Sequence, residues 1–221
     1  MADQPIVRVR GEAFREVPPE IARFSVTVQA RDADRQSTLA RLAERADAVR
    51  AVVDTYGPAI DRRESGDLRV SPELKRSGER IKAYHGSVST TVTVTDFTVL
   101  GELMLRLADQ DQATVAGPWW SLRPDSPAHR EARRAAIADA IDRAREYADA
   151  LGARVTGLLE LADTGMSNPQ PMMVRAAYAG GAAGGAPPSL DLDPQVQTVQ
   201  AGVEARFAIS EPTAVVAPTE H

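Results

Sequence analysis

Alternation of apolar and polar residues marks the start of the chain as β-structure. Val7 and Val9 alternate with arginines, and residues 21–30 repeat the pattern over a longer stretch. Because successive side chains of a strand point to opposite faces, this period of two is typical of half-buried strands. Pro18 and Pro19 between them cannot continue a hydrogen-bonded ladder, so we expect the bend of a wide hairpin there.

The same alternation predicts further strands along the chain. A strand around residues 68–70 is followed by a stronger one in 81–96, and the segment 76–79 between them has the composition of a hairpin turn. The remaining predicted strands are 113–122, 154–161 and 196–209.

A period of three to four residues replaces the alternation in two places and predicts amphipathic helices. The first runs from about Asp34 to a stop signal at Gly57 and Pro58, and the second starts near Asp96. Their apolar positions are Leu39, Leu42, Ala46, Val49, Val53 and Tyr56 in the first helix and Leu100, Leu103, Met104 and Leu107 in the second.

A third helix, dense in arginine and alanine, is predicted between an N-cap at Ser126 and a C-terminal cap at Gly152. Asp139 and Arg143 can form an i,i+4 ion pair on its exposed side. Acidic residues interrupt the arginines, which favours a helix that covers a sheet over one that grips a polyanion. The residues expected on its buried side are Ile137, Ala140, Ile141, Ala144, Tyr147, Ala148 and Leu151.

This order of elements predicts an α+β fold, a mostly antiparallel sheet of about seven strands with about three helices on one face. We expect a single domain over residues 1–210. A long loop, 165–195, rich in Gly, Ala and Pro, lies inside it, and residues 211–221 are expected to form a flexible tail.

Composition and charge exclude several classes of function. With 221 residues, 43% of them hydrophobic, the chain can build a real core. A net charge of -5 argues against a nucleic-acid binder whose affinity rests on neutralising phosphates. The absence of cysteine excludes disulfides, thiol catalysis and thiolate metal sites.

The sequence shows no export or membrane signal. No apolar run approaches the roughly 20 residues needed to span a bilayer, and the opening MADQP lacks the features of a signal peptide. We therefore expect a cytoplasmic protein as written, or a cell-envelope protein if the natural N-terminus is longer.

No histidine stands in a recognisable catalytic or metal-binding pattern. His85 lies near Ser87 and Ser89 in sequence but lacks a positioned partner, His129 is expected to be exposed on a helix, and His221 is the terminal residue. The sequence therefore predicts neither catalytic residues nor histidine metal ligands.

Two segments of the long loop resemble parts of a calcium site and of a phosphate-binding loop, but each lacks other residues that such a site needs. Asp191 and Asp193 could contact a calcium ion, yet the glycine and distal glutamate of an EF-hand are missing. The glycine-rich run 180–185 follows no predicted strand and lacks the lysine of a phosphate loop. We expect no cofactor and no metal.

Adjacent tryptophans are the strongest interface signal in the sequence. Trp119 and Trp120 on one strand must point to opposite faces, so both rings cannot enter one core. The outer ring either packs under the third helix or the long loop, or forms a subunit contact, where tryptophan is enriched. Met172, Met173 and Tyr178 add apolar groups in the long loop. These five residues are the candidate interface of a homo-oligomer.

The order of several short motifs resembles the SIMPL-domain family, also catalogued as a domain of unknown function. The residues that carry the resemblance are Gly11 and Glu12, then Pro19, Glu20, Ile21 and Ala22, then Val70, Pro72 and Tyr84, and finally Ala140, Ala144, Ala148, Leu151 and Gly152.

The resemblance implies a non-enzymatic protein. Family members, many of them bacterial, look like proteins of stress response or signalling, and some appear in ring-like or channel-like oligomers. Our first hypothesis is therefore assembly or partner binding, with small-molecule binding as the second and a hydrolase with an unrecognised site as the third. An enzyme is disfavoured because no nucleophile, base and oxyanion donors converge in the sequence.

Overall fold

The computed structural model describes residues 4–75, 78, 80–164 and 190–214, and it divides the chain into two compact units. Unit 1 comprises Met1–Val17, Pro124–Ala176 and Val196–His221, and unit 2 comprises Pro18–Arg123 and Ala177–Gln195. The single domain expected over residues 1–210 stays a prediction.

The predicted α+β class is confirmed, with seven strands and three α-helices in the described part of the chain. Short 3₁₀ turns follow the first helix and precede the second. In chain order the strands are β1 Ile6–Val17, β2 Ile21–Asp32, β3 Ile60–Leu74, β4 Ile81–Val94, β5 Ala113–Ser121, β6 Val155–Asp163 and β7 Gln197–Ile209, and the helices are α1 Arg35–Asp54, α2 Leu100–Ala108 and α3 Pro127–Ala150.

The strands form two antiparallel sheets rather than the one sheet that we expected. Unit 1 contains the order β1-β7-β6, and unit 2 contains β3-β4-β2-β5. The predicted hairpin of β1 with β2 is wrong, because β1 pairs with β7 while β2 pairs with β4 and β5. Pro18 lacks a backbone N–H, as does Pro19, so the ladder ends at this point and the chain passes from one sheet to the other.

In unit 1, α3 packs on β1 and β7 through a stripe of alanines four residues apart. The contact is close enough to require Gly11: a Cβ added there would lie 2.1 Å from the carbonyl oxygen of Ala136 and 2.7 Å from the Cβ of Ala140. Backbone therefore packs directly on backbone. The buried alanines are Ala128, Ala132, Ala136, Ala140, Ala144 and Ala148.

The larger apolar residues predicted on the buried side of α3 lie beside this stripe. Ile137 and Ile141 are half-buried, and Tyr147 is 57% exposed, because the narrow gap under the helix admits only alanine. Asp139 forms the predicted ion pair with Arg143 at 2.9 Å and also accepts a hydrogen bond of 2.8 Å from the Glu12 backbone N–H. Asp139 thus ties the helix to β1.

The predicted helix caps are confirmed. Ser126 accepts a hydrogen bond of 3.3 Å from the Ala128 N–H, and Gly152 adopts a φ of +66° after the end of α3. At the start of α1, Asp34 accepts from the Ser37 N–H at 2.8 Å, and this bond is the largest cause of the lowered pKa of Asp34.

In unit 2, α1 and α2 cover one face of the four-stranded sheet. The core residues come from the predicted alternating positions of the strands, and only Leu39 of the predicted α1 stripe is exposed, at 40%. The described end of the long loop also contributes, since Leu192 packs against this core. Its fully buried members include Phe24, Val26, Val28, Val49, Val53, Val92, Val94, Leu100, Leu103 and Leu107.

None of the helices in the described residues is both long enough and apolar enough to cross a membrane. Of the predicted tail, residues 211–214 are described: the Thr213 hydroxyl donates to the Gly152 carbonyl at 3.0 Å, and the Ala214 N–H donates to the Leu151 carbonyl at 3.0 Å.

Candidate interaction surface

The adjacent tryptophans lie on β5, which is an edge strand of the sheet in the described residues. Trp120 points into the core, is 9% exposed and packs edge-on against Phe97, with ring centroids 4.8 Å apart. Trp119 points the other way and is 41% exposed. The strand geometry therefore gives the two rings different roles, one in the fold and one at the surface.

Gly117 shapes the strand immediately before the tryptophans. It has a φ of +122°, and an added Cβ would lie 2.9 Å from the Cβ of Phe24, so only glycine fits. The register between β2 and β5 shifts at this point, between Arg23 and Ser25. Pro118 follows through a cis peptide bond, at a position that an edge strand tolerates.

Arg23 lies directly opposite Trp119 on the neighbouring strand β2. Its side chain is exposed and forms no ion pair with any residue that the structure describes. We call Arg23 and Trp119 the Trp119 corner. Exposed arginine and tryptophan are the residue types that most often dominate the energy of a contact.

The face of the unit-2 sheet that carries the Trp119 corner is turned away from α1 and α2. Thr114 of β5 lies opposite Thr27 of β2, which lies opposite Ser89 of β4, and the next row pairs Ser25 with Thr91. All of these side chains are at least partly exposed, whereas Thr93, which lies opposite Arg23 on the same face, is 1% exposed. We call the following set the hydroxyl face: Ser25, Thr27, Ser87, Ser89, Thr91 and Thr114.

A group of charged residues lies beyond the hydroxyl face, where β3 and β4 approach their hairpin turn. Arg31 lies opposite His85 and donates a hydrogen bond of 2.7 Å to Glu73, which also pairs with Lys82 at 2.9 Å. The bond from Arg31, and then the one from Lys82, lowers the pKa of Glu73 to about 2. His85 itself is exposed and lies opposite Ser71 on its other side.

This pair of contacts predicts an acid-dependent loss of stability. The folded pKa of Glu73 lies below its ordinary value of 4.5, so the stabilisation is complete above pH 4.5 and is lost as the pH falls towards 2. Glu73→Gln should therefore flatten the dependence of the urea midpoint on pH in this window. The exposed carboxylate Glu16, removed by Glu16→Gln, serves as the control, and an unchanged slope in Glu73→Gln would contradict the assignment.

His129 is not exposed, which corrects the expectation from the sequence. Its side chain is half-buried, and its Nδ1 atom is buried without a hydrogen-bond partner among the described residues. His129 lies in the first turn of α3 and lines a cavity of about 320 Å³ together with Arg130 and Arg133.

The other sequence candidates contribute little to a site. Asp191 and Asp193 are described and exposed, and no cluster of three or more His, Asp or Glu side chains suited to a metal ion occurs in the described ranges. The remaining candidates, which lie outside the described residues, are Met172, Met173, Tyr178, the run 180–185 and His221.

The described residues thus form an antiparallel α+β protein of two units. Its most distinctive groups, the Trp119 corner and the hydroxyl face, lie on the surface of a sheet. A family model described as "SIMPL: Protein of unknown function (DUF541)" matches residues 7–207, so the chain belongs to the SIMPL family. The resemblance inferred from the sequence motifs is thereby confirmed, and the match spans both units. No curated protein matches the chain.

Two solved structures are similar to parts of the chain. One is a Burkholderia cenocepacia protein provisionally described as an amidohydrolase/peptidase, with 17% identity, a TM-score of 0.23, and coverage of 59% of this chain and 35% of that chain. The other is an unknown protein from Galdieria sulphuraria, with 14% identity, a TM-score of 0.21, and coverage of 86% and 84%. At these TM-scores neither structure carries an argument about activity.

Proposed function

We propose that this SIMPL-family protein acts through assembly of copies of itself, without catalysis, and that the Trp119 corner forms part of the contact. The observation that carries the proposal is the exposed Trp119 ring on an edge strand, beside an arginine with no ion pair in the described residues. A tryptophan that is exposed in the single chain and buried in an assembly is a typical anchor of an interface.

Other exposed apolar groups of unit 2 support a contact surface. Leu68 is 62% exposed, Leu74 52% and Ile81 49%, and all three lie on the hairpin of β3 and β4. Leu74 lies opposite Ile81, and neighbouring exposed apolar groups mark interaction sites. This second apolar patch is at the β3 edge of the sheet, whereas Trp119 is at the β5 edge. Trp120 contributes to the fold, whereas Met172, Met173 and Tyr178 of the candidate interface stay predictions.

Replacing the exposed ring should weaken the assembly. We expect Trp119→Ala to cost about 2 kcal/mol or more of association free energy, about thirtyfold in the dissociation constant, because the cavity left in the contact is not refilled. Light scattering coupled to size exclusion measures the mass of the wild type and of the variant.

Phe14→Ala is the matched control, since Phe14 is an exposed aromatic residue at 63% on the edge strand β1 of unit 1. It should leave the mass unchanged. A wild-type mass equal to the 23.7 kDa chain at micromolar concentration would end the proposal. A larger mass that Trp119→Ala does not alter would keep the assembly and remove the Trp119 corner from it.

The alternatives differ in their structural support. Small-molecule binding is favoured by the hydroxyl face. The hydrolase hypothesis rests on no observation of this kind, since neither His85 nor His129 has a side-chain hydrogen bond to a nucleophile or carboxylate in the described residues. A stress-related role and a cytoplasmic location stay predictions.

A further inference from the structure

The uncovered face of the unit-2 sheet differs from the uncovered face of the unit-1 sheet. In unit 1, the face turned away from α3 is covered by long charged side chains in ion pairs, such as Arg8 with Glu204 at 2.6 Å and Arg206 with Glu160 at 3.2 Å. In unit 2, the central positions of β2 and β4 carry only serine and threonine. Contact with water alone therefore does not account for the small side chains of the hydroxyl face.

The arrangement of the hydroxyl face is a regular grid. The positions lie opposite one another across β5, β2 and β4, at spacings of about 4.8 Å between strands and about 7 Å along them. Each hydroxyl can donate one hydrogen bond and accept two. Such a grid suits a ligand whose own donors and acceptors repeat at short intervals along a chain.

Longer side chains border this grid of short ones. Arg23 stands at one end of β2 and Gln29 towards the other, with Ser25 and Thr27 between them. Because Arg23 forms no ion pair in the described residues, its guanidinium is available to a carboxylate, which it can bind through two parallel hydrogen bonds. On the β3 side, Glu64 lies opposite Thr91 and Arg69 opposite Ser87, but both are in ion pairs, Glu64 with Arg62 at 3.4 Å and Arg69 with Asp67 at 3.0 Å. Arg23 is thus the cation of this border that has no ion pair in the described residues.

We propose that the hydroxyl face binds a saccharide chain that bears carboxylates, with one carboxylate on Arg23 and sugar hydroxyls on the serine and threonine side chains. A nucleic acid fits less well, because one uncompensated cation on a chain of net charge -5 cannot neutralise a run of phosphates. The proposal concerns a ligand other than a second copy of the chain. Both proposals use Arg23, so the saccharide and a second copy would compete for this side chain, and the serine and threonine side chains are the part of the site that the assembly does not use.

Calorimetric titration of the full chain with oligogalacturonate tests the proposal. The fully methyl-esterified oligosaccharide has the same backbone without the charge, and dextran sulfate is a polyanion of different geometry. We expect binding of oligogalacturonate, at least tenfold weaker binding of the ester, and no stoichiometric binding of dextran sulfate.

Variants of the hydroxyl face make the test specific. Arg23→Gln should weaken binding at least tenfold, and Thr27→Val and Thr91→Val, which delete a hydroxyl and keep the shape of the side chain, should each weaken it several-fold. The matched controls are Thr156→Val on β6 and Arg134→Gln on the exposed side of α3, and both should bind as the wild type does.

Three results would overturn the proposal: no heat with oligogalacturonate, equal affinity for the ester, or equal weakening by the control variants. Light scattering on the same samples separates this proposal from the assembly. A Trp119→Ala protein that becomes monomeric and still binds oligogalacturonate supports both proposals. A wild type that is monomeric and binds it ends the assembly proposal alone.

Discussion

Gly11→Ala is expected to destabilise unit 1 by about 3 kcal/mol, more than most single substitutions. The added Cβ would lie 2.1 Å from the Ala136 carbonyl oxygen and 2.6 Å from the Ala140 backbone nitrogen. Both are backbone atoms of α3, so no side-chain rotation relieves the clash, and the helix has to move off the sheet. Displacing α3 also breaks the hydrogen bond from the Glu12 N–H to Asp139.

Urea unfolding followed by circular dichroism measures this loss. Both tryptophans of the chain lie in unit 2, so their fluorescence follows that unit and should report a smaller change than dichroism does. Gly157→Ala on β6 is the control, because an added Cβ there meets nothing within 4 Å. That variant should be neutral or slightly stabilised. Equal losses in the two variants would show that the close contact with α3 is not the cause.

Phe24→Ala is expected to cost about 3–5 kcal/mol, because it removes a large buried ring and leaves a cavity. Phe24 is 0% exposed near the start of β2, within the core that the strands form with α1 and α2. It also contacts Gly117, so its loss affects the strand that carries the tryptophans. The urea midpoint followed by tryptophan fluorescence measures the effect.

Phe14→Ala makes the same chemical change at a position that is 63% exposed. We expect it to cost less than about 0.5 kcal/mol, as surface substitutions usually do. The difference between the two phenylalanine variants isolates the contribution of burial from that of residue type. A similar loss in both would contradict the assignment of Phe24 to the core.

Local patterns predicted the elements well but not the partners of the strands. The hairpin of β3 and β4 was predicted because its strands are neighbours in sequence. The partner of β1 was not, since Ile6 pairs with Ala208 at the far end of the chain. Alternation reveals that a strand has one buried face, and it carries no information about which strand lies alongside.

The packing of α3 was only partly predictable for a different reason. Large apolar residues dominate a hydrophobic pattern, so the predicted buried side was centred on residues such as Ile137 and Tyr147. It therefore missed three buried alanines, Ala128, Ala132 and Ala136. The spacing of four over the whole helix was a signal that could have found the stripe. Its close approach to a glycine on β1 could not be inferred, because it depends on tertiary packing.

The candidate surface, too, was predictable from the sequence only in part. The rule that adjacent strand residues face opposite sides applies to Trp119 and Trp120 without any structure. Which ring is exposed depends on the side of the sheet that α1 and α2 cover. The position of Arg23 opposite Trp119, and the rows of the hydroxyl face, depend on the register of strands far apart in sequence.

The order of strands in unit 1 has a consequence for synthesis. Its central strand, β7, is the last of the elements that the structure describes, while the strands and both helices of unit 2 are complete at Arg123. The strands of unit 2 therefore leave the ribosome before β7 does. In contrast, β1 and β6 have no partner strand until β7 has been synthesised. A nascent chain stopped before residue 197 would leave both of these strands unpaired and α3 without half of the surface on which it rests.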